Sequence, residues 1–158
     1  KWEKAADPLK GKNIRTIFLR FGVVLRGKGG ALAKMLPIFK LGLGGPLGSG
    51  EQMMSWVALD EILNVVSFCL KDPSVNGPVN CVSPEPVSNK EFTKTLAAVL
   101  KRPAVLPAPA FALRLALGEM ADALLLGGAK VFPQKLLAAG YTFRYPNLRN
   151  ALEKILLN

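Results

Sequence analysis

The run from Ile14 to Leu25 (IRTIFLRFGVVL) does most to restrict the fold. It is rich in β-branched and aromatic residues and nearly continuously apolar apart from Arg15 and Arg20. A strand apolar on both faces must be covered on both, which is the condition of a parallel strand inside an α/β sheet. Gly27, Gly29 and Gly30 end the run. Ala31–Leu41 follows at helical spacing, with Leu32, Met35, Leu36 and Phe39 on one face and Pro37 weakening or kinking the helix. The alternation then continues. A short strand at Met53–Val57 leads into an amphipathic helix, Asp60–Leu70, with Ile62, Leu63, Val66 and Leu70 inward. Asp60 and Glu61 lie in its first turn, where negative charge suits the helix dipole. A strand at Val79–Val82 precedes a helix opened by the capping box Ser88-Asn89-Lys90-Glu91 and running to about Leu100. Ala104–Leu106 reads as a strand, Pro109 to Leu126 as a long helix, and Pro133 to Gly140 as a short one. Tyr141–Phe143 reads as extended, and Asn147 as the cap of a last helix through Leu157. Strands alternating with helices along the whole chain predict an α/β layered domain.

The 158 residues suffice for one domain with a real core. The longest apolar stretch, Ala104 to Leu113, is short and broken by Pro107 and Pro109, so no membrane span is expected. No secretory leader is visible. Lys1 stands where a start Met would be, and Trp2-Glu3 reads as the middle of a longer chain. Cys69 and Cys81 form no Cys-x-x-Cys pair and read as two reduced, buried thiols of a cytoplasmic or organelle-matrix protein. The net charge of +10 is uneven: ten Lys and Arg against two acids place +8 in residues 1–40, leaving +2 over the rest. Such an end could meet nucleic acid, anionic lipid or a phosphorylated cofactor, or be a solvated face or one turned toward a missing half. No nucleic-acid motif is present, and neither a nucleic acid nor a membrane is an expected partner.

The chain has no histidine, which removes the usual general base and the usual zinc ligand. No metal site is expected. The glycine cluster Gly42–Gly50 follows a helix and precedes a strand. It matches neither Gly-x-Gly-x-x-Gly nor a P-loop and reads as a tight surface loop rather than a phosphate-binding one. Asp60-Glu61 reads as a helix cap. Glu119 and Asp122, three apart on the long helix, read as a solvated face or a contact with a partner's basic patch. Arg20 is the most suggestive single residue. Inside an apolar strand it would need an anion, either a ligand phosphate or carboxylate, or an ion pair elsewhere in the protein.

Several stretches, in order, carry a resemblance. They are Arg20-Phe21-Gly22-Val23-Val24-Leu25 with Gly29-Gly30-Ala31-Leu32, then Leu41–Gly50 with Ser55-Trp56-Val57 and Asp60. Gly77-Pro78-Val79-Asn80 and Pro84–Phe92 follow. The tail adds Gly118–Ala121, Val131-Phe132-Pro133 and Ala139–Pro146. Together they resemble the sugar-nucleotide-epimerase-like family that includes YfcH and is often labelled a SulA-like cell-division inhibitor. Its members are atypical extended short-chain dehydrogenase/reductases.

The resemblance implies that a complete member begins with a Rossmann half bearing a glycine-rich dinucleotide loop, with NADP as cofactor. This chain would then be the C-terminal part of a Rossmann-like doubly wound sheet plus a small helix-rich substrate-side domain. Residues 1–102 would close the epimerase/reductase domain and 103–158 form a family-specific C-terminal domain. Arg20, Phe21, Gly22 and Val23 match the strand end near the nicotinamide, and Gln52, Ser55 and Trp56 the stretch approaching the substrate, with Trp56 equally readable as core. No catalytic residue is expected within the chain. Its partners would be a small-molecule substrate and the N-terminal half of the same protein, with the oligomeric state open. Two departures matter. Ala58 stands where relatives usually carry a His. Met54 and Ser55 stand where wider nucleotide-sugar epimerases place an Arg-Asp pair, and an Arg there would clamp a diphosphate. The implied activity is that of the substrate-side half of an NADP-dependent epimerase-like oxidoreductase, inactive alone. The alternative is a non-catalytic protein-interaction member of the same fold.

Overall fold

The structure, a computed structural model, describes residues 2–9, 12–104 and 128–157. A 3-10 helix over Trp2–Leu9 leads to the long apolar run. That run is two strands, β1 (Ile17–Phe21) and β2 (Val23–Leu25), divided at Gly22. Helix α1 (Gly30–Lys40), β3 (Met53–Met54), β4 (Trp56–Ala58), α2 (Leu59–Lys71) and β5 (Gly77–Cys81) follow. Then come β6 (Val87–Ser88), α3 (Asn89–Leu100), α4 (Gln134–Ala138) and α5 (Leu148–Leu157). The expected strand at 104–106 and helix at 109–126, with Glu119 and Asp122, lie outside the described residues.

The division at Gly22 sends one run to two neighbours. β1 pairs in parallel with β5, Ile17 opposite Gly77 and Phe21 opposite Cys81. β2 pairs in parallel with β4, Val23 opposite Trp56 and Leu25 opposite Ala58. β3 and β6 add a short antiparallel pair. Side chains alternate across β4: Trp56 and Ala58 enter one core, Val57 the other. The first core includes Leu32 and Phe39 of α1, Phe92 and Leu96 of α3, and Leu152 of α5. The second includes Val65 and Cys69 of α2, Val79 and Cys81 of β5, and Leu136 of α4. Helices thus cover both faces of parallel strands, as the apolar pattern demands.

The expected inward face of α2 needs correction. Leu63 and Leu70 are 66% and 71% exposed. The buried row is Glu61, Val65 and Cys69, spaced by four. The C-terminus of α2 is closed by Arg15, whose guanidinium donates to the carbonyls of Cys69 (2.7 Å), Val75 (2.9 Å), Leu70 (3.1 Å) and Asp72 (3.2 Å). A cation there also suits the negative end of the helix dipole. The local caps form as expected: Ser88 Oγ accepts from the Glu91 N–H at 3.1 Å, and Asn147 Oδ1 from the Asn150 N–H at 3.0 Å. Cys69 and Cys81 are both free and buried.

Candidate functional site

β1 and β5 end side by side, and beyond such C-terminal strand ends an open α/β sheet forms its ligand crevice. A cleft of about 510 Å³ lies there. Arg20, Phe21, Gly22 and Val23 form one wall and Met53, Met54 and Ser55 another. Asn80 and Val82, at the end of β5, and Ala129 and Val131 complete it. Gly22 makes the shape achievable. A Cβ there would lie 2.3 Å from the Ser55 carbonyl oxygen, so only glycine lets the chain leave β5 and pair with β4. The next residue seals the handover: Val23 N–H donates to Ser55 O at 2.8 Å.

Four of the seven expected site residues therefore share one wall, and Ser55 shares the cleft. The other expectations need correction. Arg20 is not a buried cation awaiting an anion. Its side chain is 54% exposed, and its Nε and Nη2 donate to the two carboxylate oxygens of Glu3 at 2.7 and 2.8 Å. This bond holds the Glu3 carboxyl below the usual carboxylate range. Trp56 is fully buried in the first core, its Nε1 donating to Glu85 O at 2.9 Å, so of its two readings the structure supports core. Gln52 is not part of the cleft wall. Its Nε2 donates to Leu47 O at 3.0 Å and its carbonyl accepts from the Asn89 N–H at 2.9 Å.

Gln52 belongs instead to the packing of the glycine loop. Asn89 Oδ1 accepts from the Leu47 N–H at 2.7 Å, and the Lys90 N–H donates to Gly50 O at 2.8 Å. The loop is thus folded onto the start of α3, and donors that an anion would want there are already engaged.

Sequence reasoning missed Asn80, Val82, Met53, Met54, Ala129 and Val131 as cleft residues. Asn80 carried a signal, because it closes the stretch Gly77–Asn80 at a strand end. Ala129 and Val131 carried none, because a contact spanning more than seventy residues leaves no local pattern. Ser55 Oγ donates to Ala129 O at 2.6 Å and accepts from the Val131 N–H at 2.8 Å. Asn80 Nδ2 donates to Phe132 O at 3.2 Å.

A second polar cluster is structural. The buried Glu61 carboxylate accepts from the Tyr141 hydroxyl and, at 2.9 Å, from the Tyr145 N–H. Glu61 is thus more than a helix cap: it fastens the chain before α5 to α2. Burial, reinforced by the bond to Glu61, pushes the Tyr141 hydroxyl above its ordinary range. Burial likewise pushes the Cys81 thiol up to about 12. Among the described residues no group of His, Cys, Asp and Glu could hold a metal, and no helix is long and apolar enough to cross a membrane.

Comparison with known proteins adds the following. Residues 108–155 match the model of a domain of unknown function, DUF1731. The chain is 42% identical over 156 residues to the epimerase family protein SDR39U1 of Mus musculus, covering 98% of this chain and 53% of that protein. Among solved structures, human SDR39U1 (isoform 2) with NADPH superimposes at a TM-score of 0.88 and 39% identity, covering 98% of this chain and 52% of that one. A nucleoside-diphosphate sugar epimerase from Corynebacterium glutamicum superimposes at 0.75 and 32% identity, covering 98% of this chain and 29% of that one. The chain spans about half the length of the curated relatives it matches.

Proposed function

Because this chain belongs to the epimerase family of SDR39U1-like proteins and corresponds to a C-terminal part of them, we propose that it supplies the substrate-side half of an NADP-dependent, epimerase-like oxidoreductase. The observation that carries the reading is the meeting of Arg20–Val23, Ser55 and Asn80 around one cleft at the C-terminal ends of parallel strands. NADPH is bound in the human SDR39U1 structure. The residues present here fit the nicotinamide end of such a cofactor: a wall of Phe21, Gly22 and Val23, with Val82 beside it, offers a largely apolar edge for a flat ring. When bound, the cofactor supplies hydride chemistry. This chain's residues shape the cavity that would receive the ring.

Among the described residues β1 has β5 as its one strand partner, and Phe21 at its end is 51% exposed. In this reading the sheet continues past β1 into the nucleotide-holding half, and the isolated segment does not turn over. Residues 1–102 close the reductase domain, and 103–158 form an appended domain whose last helix packs on α3. The buried, free thiols suit a reducing compartment, the cytoplasm or an organelle matrix.

The test is a fluorescence titration of NADPH into the full-length protein that carries this chain. The expected result is saturable binding with a Kd on the order of 10 μM. No saturation up to about 1 mM would reject the reading in favour of a cofactor-free interaction protein.

A further inference from the structure

We infer that Ala129–Phe132 is a fastened wall of the substrate cleft, and that the cleft it closes takes an uncharged, largely apolar small molecule rather than a nucleotide diphosphate. The inference rests on the reading of this cleft as the substrate site.

Three anchors hold the segment. Ser55 Oγ gives its one hydrogen to Ala129 O and takes the Val131 N–H, at 2.6 and 2.8 Å. Asn80 Nδ2 holds Phe132 O at 3.2 Å. Gly128 crosses so close to β3 that a Cβ on it would lie 2.9 Å from the Met53 nitrogen. Two polar side chains lining the cleft, Ser55 and Asn80, thus each hold the protein's own backbone.

The surface left for a ligand is mostly Val23, Met53, Met54, Val82 and Val131. The flexible thioethers of two methionines adapt to apolar shapes. A diphosphate brings charge that must be desolvated, and it needs bidentate cations or a row of N–H donors in return. Among the described residues the one cation on the wall, Arg20, is already held by both oxygens of Glu3. Lys130, on the segment itself, has its ammonium 5.7 Å from the centre of the Phe132 ring. Met54 and Ser55 supply no charge where a diphosphate clamp would stand.

The test uses the full-length protein loaded with NADPH. UDP-glucose and UDP are titrated calorimetrically. Medium-chain aldehydes and ketones such as hexanal and cyclohexanone are screened for NADPH consumption, with hydride passing to the carbonyl carbon, a solvent proton to the oxygen, and NADP⁺ and an alcohol as products. The expected result is no heat from either nucleotide up to about 1 mM and turnover of at least one uncharged carbonyl. Ser55→Ala should raise that compound's KM by about tenfold with a smaller change in kcat, and should speed hydrogen exchange at 129–132. Asn80→Ala, at the sheet end, gives the same reading should Ser55→Ala fail to fold. Micromolar UDP-glucose binding overturns the inference. So does an NADPH-loaded protein that consumes no uncharged carbonyl, or variants that leave both KM and exchange at 129–132 unchanged. A protein that binds no NADPH overturns the cofactor reading itself.

Discussion

Glu61 and Arg20 show how far single residues were readable. A carboxylate in the first turn of a helix is ordinarily a solvated cap, and nothing near Glu61 in sequence says otherwise. Its partners, Tyr141 and Tyr145, lie 80 and 84 residues away, and they let it take an inward position. Arg20 erred the other way. An apolar run argues burial, yet the run ends at a cleft, and Glu3, 17 residues earlier, meets the guanidinium in the open. Burial was correctly read for the two cysteines, and it has a consequence at alkaline pH. The Cys81 thiol is pushed up to about 12 and the Tyr141 hydroxyl upward as well, both chiefly by burial. Above about pH 9 an unfolded thiol loses its proton while the folded one keeps it. The unfolded state then binds fewer protons, so stability is full below that pH and falls as pH rises toward 12. Urea midpoints of the full-length protein should drop steadily above pH 9, and Cys81 should resist iodoacetamide until the protein unfolds. Native-state alkylation at the rate of a free thiol would contradict this.

At the scale of elements, what the sequence revealed was local. The Ser88 and Asn147 caps act on N–H groups three residues ahead, so four adjacent letters suffice to see them. The alternation of strands and helices was also readable, because burial on two faces leaves apolar runs and burial on one leaves a periodic stripe. The facing of α2 was not, because an inward Glu61 shifts the apparent stripe toward Leu63 and Leu70. The splitting of Ile14–Leu25 was hidden for a related reason: Gly22 has no side chain to mark the handover, and its cause is the Ser55 carbonyl pressing on it. Arg15 shows an element held by a distant residue. From just before β1 it gathers four carbonyls at and just beyond the end of α2. Arg15→Ala should lower stability by about 2 kcal/mol, read as a lower denaturation midpoint at unchanged slope. Arg15→Lys should recover only part of this, because an ammonium cannot span the same set of acceptors. An unchanged midpoint in the Ala variant would show that the clamp contributes nothing.

For the molecule as a whole, the ordered family motifs made the fold and the cleft's first wall readable. The side completed by Ala129 and Val131 was out of reach because only the return of the chain brings those residues to Ser55. In the proposed function this cleft lies where an NADP cofactor's nicotinamide meets substrate, with the rest of the nucleotide held by sequence outside these residues. Hydrogen–deuterium exchange of the full-length protein, with and without saturating NADPH, tests this most directly. Exchange should slow at residues 20–23 and 80–82, with α3 and α5 unchanged. NADPH binding that leaves residues 20–23 and 80–82 exchanging at their original rates would contradict it.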